Sequence, residues 1–274
     1  MKTQLDWQQI LLECKNNVYA NIQTCLKTLK EPLPNLGTGA GGDLMKPVDL
    51  AAETAIVQTL KNHNISFTLI SEESGIKEYG ATPKECYLCV DPIDGTTNLM
   101  HGLPFYCSSI AVSSKPELAS VYAGMVVDLF HDETYMALSG KGAYLNDKPI
   151  HSSKTPVLED AVVGMDLNAY KAKLDMKMAA ALIENIKHTR HFGANALEIC
   201  QVAAGLTDAF IDLRGKIRAT DVAAGFLIVK EAGGTVTDRE NKPVNVKLDP
   251  TQKLSFIASA NDQIHQKILS LVKP

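Results

Sequence analysis

A short apolar run, Tyr87–Val90, passes directly into the acidic segment DPIDGTTN at residues 91–98. Pro92 fixes the backbone between two carboxylates, and Gly95 permits a close approach or an unusual φ angle. The two threonines after Gly95 should open a turn or helix whose free N–H groups attract an anion. Carboxylate oxygens suit Mg²⁺, which binds them together with phosphate oxygens. Considered alone, the segment fits either a metal site or an Asx-turn with an N-cap. In both interpretations the buried strand ends at a polar surface.

The composition is that of an ordinary globular protein. The chain has 274 residues, 45% hydrophobic and 21% charged, which suffices for one large domain or two closely packed halves. A net charge of −4 gives no basic face for a nucleic-acid partner, so an anionic substrate would need metal ions, arginines or helix N-termini. The first residues lack a signal-peptide core, and apolar stretches such as Val222–Val229 are far shorter than the roughly 20 residues that span a bilayer. We therefore expect a cytoplasmic protein with no membrane partner.

Six cysteines are scattered along the chain, and Cys86 and Cys89 form a C-x-x-C pair. A zinc site would need a second pair or a nearby histidine, which the sequence does not provide. The segment CYLCVD also fits a buried strand in which cysteine serves as a small apolar residue, and we favour this interpretation. Reduced thiols are typical of a cytosolic compartment.

The apolar spacing divides the chain into two halves. Helical periodicity predicts helices over 5–30, 48–62, 172–186, 194–204, 221–232 and 261–272. Strands are predicted at 67–70, 87–90, in several runs within 107–138, in a hairpin over 140–150, at 161–166, 208–214, 235–238 and 254–260, and as a short strand or turn at 188–193. Residues 1–150 therefore form an α+β half with a largely antiparallel sheet, and residues 151–274 an alternating α/β half. No linker separates them, so we expect a single compact unit with its site between the halves.

Two further acidic elements accompany the first. Glu72 and Glu73 follow the strand at 67–70, and adjacent carboxylates repel unless a cation or separate partners hold them. Asp221 precedes a helix with an Ala/Gly-rich face. Considered alone, the paired glutamates fit a solvated turn and Asp221 fits a plain N-cap. The glycine-rich segment 36–47 lacks apolar periodicity, which is typical of a functional loop or lid.

Taken together, four segments resemble the inositol monophosphatase family: ISEES (70–74), DPIDGTTN (91–98), ATDVAAG (219–225) and EAGG (231–234). Their order and spacing agree with the family from about residue 40 to residue 262. The resemblance implies a layered αβαβα sugar-phosphatase fold, two or three Mg²⁺ ions and hydrolysis of a phosphate ester on a small sugar or cyclitol. It also implies a homodimer.

Carried over to this sequence, the resemblance implies five metal ligands: Glu72, Asp91, the main-chain oxygen of Ile93, Asp94 and Asp221. The backbone amides of Gly95 and Thr96 would hold the phosphate, and Thr96 would also orient the attacking water. Two ions about 3.5–4 Å apart can activate a water and stabilise the leaving oxygen, so no covalent intermediate is required.

The sequence departs from the pattern of the animal enzymes at several positions. Ser71 stands where the family usually has glycine, and Thr220 stands where the animal enzymes have tryptophan. The acidic partner of the catalytic threonine is best matched by Glu53. These variants resemble the archaeal-type branch of bifunctional fructose-1,6-bisphosphatase/inositol-1-monophosphatase enzymes. In that branch the glycine-rich loop carries an aspartate, which Asp43 matches, and a third-metal role for Asp43 is a hypothesis.

Basic residues near the predicted site bear on the substrate. Arg214 occupies a position where the animal enzymes place an acid suited to a sugar hydroxyl, and an arginine there would grip a second phosphate in bidentate fashion. Further candidates for substrate binding are Arg190, Asn195 and Arg218. Lys216 and Arg218 also fit a solvated charge cluster. His191 is interpreted as a packed or surface histidine.

Three functions follow as hypotheses. The favoured one is a Mg²⁺-dependent phosphomonoesterase that hydrolyses fructose 1,6-bisphosphate, inositol 1-phosphate or both. A 3'(2'),5'-bisphosphate nucleotidase is the alternative, although it would need an adenine slot for which no aromatic pair is evident. A non-catalytic sugar-phosphate-binding protein is disfavoured, because converging carboxylates without a metal would repel one another.

Overall fold

The computed structural model describes residues 5–29, 34–168, 170 and 175–272, which form two β-sheets with helices between and outside them. The helices are α1 (Trp7–Thr28), α2 (Pro47–Asn62), α3 (Thr96–His101), α4 (Met176–Asn185), α5 (Asn195–Ala203), α6 (Ala219–Glu231) and α7 (Asp262–Val272). The predicted helices over 5–30, 48–62, 194–204, 221–232 and 261–272 are therefore confirmed within three residues at each end. Residues 172–174 of the predicted helix over 172–186 lie outside the described residues.

The first sheet has eight strands in the order β2-β1-β3-β4-β5-β6-β7-β8. Its strands are β1 (Phe67–Ser71), β2 (Gly75–Tyr79), β3 (Tyr87–Asp94), β4 (Cys107–Ser113), β5 (Val121–Asp128), β6 (Glu133–Leu138), β7 (Ala143–Leu145) and β8 (Lys148–Ile150). Only the β1–β3 pair among them is parallel, so the largely antiparallel sheet is confirmed. Strand β2 was not predicted, because three of its five residues are exposed and it lacks an apolar alternation.

The second sheet has five strands in the order β10-β9-β11-β13-β12. They are β9 (Val162–Met165), β10 (His188–Arg190), β11 (Ala209–Arg218), β12 (Thr235–Thr237) and β13 (Lys253–Ser259). Strands β10, β9 and β11 run parallel, whereas β13 pairs antiparallel with β11 and β12. Strand β11 extends four residues beyond the predicted end at Arg214, because a register shift carries the pairing past Gly215.

Three apolar cores stack these elements into five layers. Helices α1 and α2 cover the outer face of the first sheet, α5 and α6 fill the space between the sheets, and α4 and α7 cover the second sheet. Burial of these faces is the main stabilising term of such a layered fold. The layered αβαβα arrangement is therefore confirmed, while the division into halves at residue 150 remains a proposal.

Two local findings complete the fold. Cys89 lies fully buried in β3 and Cys86 lies buried just before it, as expected for small apolar residues. Within the part of the chain that the structure describes, no helix has the length and apolar character needed to cross a membrane.

Candidate active site

The acidic segments singled out in the sequence meet at one edge of the first sheet. Strands β1 and β3 are parallel and in register up to Ser71 and Val90, so the residues that follow them, Glu72 and Asp91, lie side by side. Asp221 joins them from the first turn of α6. One carboxylate oxygen from each of Glu72, Asp91 and Asp221 lies within 4.8 Å of the others, a spacing compatible with shared coordination of a metal ion.

A bulge in β3 brings Asp94 to the same edge. Residues three apart on a regular strand point to opposite faces. Between Asp91 and Asp94, however, the register with β4 shifts by one residue, in a stretch that contains Pro92, which cannot donate to the ladder. Asp94 consequently lines the same cavity as Asp91, and its Oδ2 accepts a hydrogen bond of 2.6 Å from the backbone N–H of Ala196 in the first turn of α5.

Gly95 connects the bulge to helix α3 and has a φ of 87°, the left-handed region that favours glycine. A Cβ atom at this position would lie 3.0 Å from the Cβ of Ala194 and 3.1 Å from the carbonyl oxygen of Phe105. The backbone of residues 95 and 96 therefore lies close to Ala194, the residue before α5. A phosphate is predicted to bind to the amides of these two residues.

The hydroxyl of Thr96 is held by Asp49, and this corrects the expected partnership with Glu53. Thr96 Oγ1 lies 3.1 Å from Asp49 Oδ1 and 2.9 Å from the carbonyl oxygen of Ile93, two acceptors that share its single proton. Glu53 lies one helical turn beyond Asp49 on α2 and instead accepts hydrogen bonds from the Ser71 hydroxyl and the Ser74 amide. Residues four apart share a helix face, so periodicity alone could not separate the two acids.

Burial and mutual repulsion make this acidic group costly to ionise. The pKa values of Glu72, Asp91 and Asp94 lie well above the usual range, first because burial disfavours the charged form and then because neighbouring carboxylates repel. Burial also raises the pKa of Asp221, although the nearby Arg218 guanidinium opposes the shift. We call Glu72, Asp91, Asp94 and Asp221 the acid site. Four hard-oxygen ligands with a shortage of positive charge fit one or more Mg²⁺ ions.

The acid site opens into a cavity of about 450 Å³. The expected site residues that line it are Asp43, Glu72, Asp91, Ile93, Asp94, Gly95, Thr96, Asn195, Arg218 and Asp221. Asn195 begins helix α5, and its buried Oδ1 has no hydrogen-bond partner among the described residues. Glu53, Arg190 and Arg214 do not line this cavity.

Arg214 is committed elsewhere, which corrects the expectation that it grips a second phosphate. Its side chain is only 6% exposed, and its Nη2 contacts the carboxylates of both Asp166 and Asp212. His191 lies nearby, 3.6 Å from Asp166 and 3.5 Å from Glu198. A hydrogen bond with Glu198 raises the pKa of His191. These three acids with Arg214 and His191 form a second group, which we call the paired cluster.

Arg190 and Arg218 differ in their surroundings. The Arg190 Nη1 donates to the carbonyl oxygen of the adjacent Thr189 at 2.7 Å, and the side chain borders a neighbouring cavity that His191 also lines. Arg218, by contrast, points into the acid site, where its Nη2 lies 2.8 Å from Glu72 and 2.8 Å from Asp43. Asp43 is therefore paired with an arginine, and its proposed third-metal role would require that pair to open.

Asp49 and the grouping of Arg214 and His191 with three acids were not predicted from the sequence. The signal for Asp49 was its place at the third position of α2, where it accepts a 2.8 Å hydrogen bond from the Lys46 amide. Burial also raises the pKa of Asp49 to about 6. The paired cluster had no local signal, since its members lie just after β9 and β10, in α5 and in β11.

Comparisons with known proteins agree with this geometry. The sequence model of the inositol monophosphatase family matches residues 9–274. The fructose-1,6-bisphosphatase/inositol-1-monophosphatase of Methanothermobacter thermautotrophicus is 35% identical over 243 residues, covering 86% of this chain and 85% of the relative. The bifunctional NADP phosphatase/NAD kinase of Methanococcus maripaludis is 33% identical over 281 residues, covering 95% of this chain and 49% of that longer protein.

The fold comparison points the same way. A crystal structure described as an inositol monophosphatase–fructose 1,6-bisphosphatase superimposes with a TM-score of 0.83 and 29% identity, covering 97% of this chain and 100% of the other. Its agreement extends over both sheets, as the coverage requires. A non-catalytic binding protein is therefore disfavoured. The chain belongs to the inositol monophosphatase family and is a phosphatase, in a family that is metal-dependent, typically with Mg²⁺, and that acts on small sugar phosphates.

Proposed function

We propose that this chain is a Mg²⁺-dependent phosphomonoesterase that hydrolyses fructose 1,6-bisphosphate, inositol 1-phosphate or both. The observation that carries the proposal is the acid site: four carboxylates, from the turn after β1, from β3 and from α6, converge beside a cavity, and Arg218 is the one guanidinium among the described residues that line it. The relative and the solved structure whose names combine these two activities support the choice of substrates. Bound Mg²⁺ would supply Lewis-acid stabilisation of the charge on the phosphoryl group.

The ligands proposed for one or more ions are the side chains of the acid site and the main-chain oxygen of Ile93. The number of ions, two or three, depends on whether Asp43 leaves its partner Arg218. Each of these groups offers a hard oxygen, the ligand type that Mg²⁺ prefers.

Thr96 and Asp49 are proposed to orient the attacking water. Because the Thr96 hydroxyl donates its proton to Asp49 or to the Ile93 carbonyl, its lone pairs remain available to accept a hydrogen bond from a water in the cavity. Asp49, whose pKa burial raises to about 6, can take up a proton near neutral pH through this threonine. The pair therefore fixes the direction of the water and provides a proton acceptor.

Asn195 and the backbone of residues 95 and 96 are proposed to hold the substrate. The unpartnered Asn195 Oδ1 suits a sugar hydroxyl donor, since a buried acceptor without a partner gains most from one. Arg190 borders the adjacent cavity and is exposed, so it replaces Arg214 as the candidate for a second phosphate.

A nucleotide phosphatase related to the 3'(2'),5'-bisphosphate nucleotidases is the second candidate. The NADP phosphatase/NAD kinase relative supports it, although this chain spans about half of that protein. The structure also provides an aromatic surface, since the rings of Phe105 and Phe192 lie 4.8 Å apart and Phe192 is 39% exposed next to the cavity residue Gly193. A base could stack there.

Phosphate release decides between these substrates. The enzyme would be assayed with Mg²⁺ against fructose 1,6-bisphosphate, inositol 1-phosphate, adenosine 3',5'-bisphosphate and NADP at equal enzyme concentration. Asp94→Asn should lower kcat/KM about 1000-fold, because a metal contributes several kcal/mol and each ~1.4 kcal/mol is tenfold. Asp147→Asn is the matched control, since Asp147 is exposed at a φ of 63° that asparagine tolerates.

The outcomes separate the candidates. Release from either sugar phosphate that Asp94→Asn abolishes supports the proposal, and release confined to the nucleotides favours the second candidate. Absence of Mg²⁺-dependent release from all four would contradict both. The homodimer and the cytoplasmic location remain predictions; light scattering after size-exclusion chromatography tests the first.

A further inference from the structure

One side chain links the acid site to the glycine-rich loop at residues 37–45. Arg218 is the last residue of β11, and its Nη2 lies 2.8 Å from both Glu72 Oε1 and Asp43 Oδ2. Its Nη1 donates to the carbonyl oxygen of Gly41 at 2.9 Å, and its Nε lies 3.8 Å from Asp221 Oδ1. The guanidinium therefore contacts two proposed metal ligands and two residues of the loop at once.

The loop is built closely around this guanidinium. The amide of Gly41 donates to the carbonyl oxygen of Glu72 at 2.7 Å, and the amide of Ala40 donates to that of Glu73 at 2.9 Å. A Cβ atom on Gly41 would lie 2.4 Å from Arg218 Nη1 and 2.7 Å from Glu72 Cγ, so a larger residue would displace either the guanidinium and Glu72 or the loop itself. The loop thus depends on the position of Arg218.

The same guanidinium is in electrostatic conflict with a divalent cation. Arginine stays protonated at all ordinary pH values, so its charge cannot be removed when a cation arrives. Its Nε is buried and has no hydrogen-bond partner among the described residues. By contrast, Nη1 donates to the carbonyl oxygen of Gly41, and Nη2 contacts both Asp43 and Glu72. A metal ion bound by Glu72 and Asp221 would lie close to the Arg218 guanidinium, and the two positive charges would repel. Partial burial weakens the screening of that repulsion by solvent.

We propose that Arg218 is a positioning residue that competes with the divalent metal for Glu72 and Asp221 and thereby couples metal loading to the glycine-rich loop. The inference rests on the proposed function, which supplies the metal. It assigns Arg218 a role other than substrate binding. Binding of the metal has to shift the guanidinium, and the shift weakens the hydrogen bonds that the guanidinium donates to Asp43 and to the carbonyl oxygen of Gly41.

Metal titration and hydrogen exchange on the full chain test the proposal. Isothermal titration with Mn²⁺ should give a dissociation constant at least tenfold lower for Arg218→Met than for the native protein. Lys216→Met removes one positive charge two residues away on the same strand, where the Lys216 ammonium donates to the carbonyl oxygen of Tyr170, and should change the constant less than twofold. Exchange of the amides of residues 37–45 should respond to Mn²⁺ in the native protein and be fast, with or without Mn²⁺, in Arg218→Met.

Arg218→Lys provides a second variant that keeps the charge. A lysine ammonium can hold Glu72 or Asp43 but cannot bridge them as the planar guanidinium does. Its metal affinity should therefore stay within about threefold of native while the loop amides exchange faster. A purely structural arginine would not produce tighter metal binding together with a looser loop.

Equal or weaker Mn²⁺ binding by Arg218→Met than by the native protein would overturn the proposal, as would a loop whose exchange ignores Mn²⁺ in the native protein. If no variant and no native protein bound Mn²⁺, the proposed function itself would fail. Metal binding with native affinity in every variant would leave the proposed function standing and refute only the role of Arg218.

Discussion

Strand β11 contributes one arginine to each of two acidic groups, and the two groups differ in how far basic side chains offset their negative charge. In the paired cluster, Arg214 contacts Asp166 and Asp212 while His191 lies between Asp166 and Glu198, so two basic side chains serve three acids. In the acid site, the ion pairs that the four acids make with other described residues all involve Arg218, which also pairs with Asp43. A group that the chain neutralises itself holds the fold, whereas a group left short of positive charge is suited to bind cations.

The largest expected effect breaks the paired cluster. Arg214→Met would leave Asp166 and Asp212 buried without their cation, and breaking such a pair costs about 3–5 kcal/mol of unfolding free energy. Urea unfolding measures this loss, and Mg²⁺ should not restore it because Arg214 lies outside the acid site. A loss below about 1 kcal/mol, the range of surface pairs, would show that the cluster is not what holds this region together.

The next effect concerns activity instead of stability. Asp49→Asn should lower kcat about 10–100-fold, the usual result of altering a residue that orients a group in the site, with little change in KM. Glu53→Gln is the matched control, because Glu53 lies on the same helix face but contacts Ser71 and Ser74. Steady-state kinetics distinguish them. A greater loss with Glu53→Gln would restore the sequence-based assignment.

The smallest effect is the pH dependence of stability in the metal-free protein, which Asp49 and Glu73 contribute from the cavity beside the acid site. Burial raises the pKa of Asp49 to about 6 and of Glu73 to about 7, above the usual values of 3.8 and 4.5. The folded protein then retains protons that the unfolded chain has lost, so in EDTA the free energy of unfolding should fall as pH rises from about 4 to about 7.

Added Mg²⁺ should reverse this trend, because a cation favours the ionised carboxylates. The increase in Tm on adding Mg²⁺ is therefore expected to be larger near pH 8 than near pH 5. Differential scanning calorimetry at both pH values provides the measurement. An increase that is equal at both, or larger at the lower pH, would mean that the acid site is not what Mg²⁺ binds.

Much of the acid site could be predicted because its members follow local rules. Glu72 follows β1 and Asp91 follows the apolar first half of β3, and the parallel pairing of these strands brings the two residues to the same edge of the sheet. Asp221 lies in the first turn of α6, a helix whose small residues pack closely against the first sheet. A Cβ atom on Gly124 of β5 would lie only 3.1 Å from the Cα of Ala224 in this helix. Local sequence therefore placed these carboxylates at element ends, where backbone pairing then joined them.

The partners of each charged side chain could not be predicted in this way. Asp49 and Glu53 share one helix face, and Arg214 and Arg218 lie four residues apart on one strand, so periodicity treats each pair alike. The choice is made by tertiary contacts: Thr96 reaches Asp49, and the register shift between Asp212 and Ile217 separates the two arginines.

The sequence by itself thus determined the family, the layered fold and the acidic segments, because these depend on apolar periodicity and on residues adjacent along the chain. Only the tertiary structure decided which acid holds Thr96, which arginine enters the acid site and which is consumed by buried carboxylates. The physical reason is that a charge pair is strong only at contact distance and in a buried setting, and both are set by packing between segments distant in sequence.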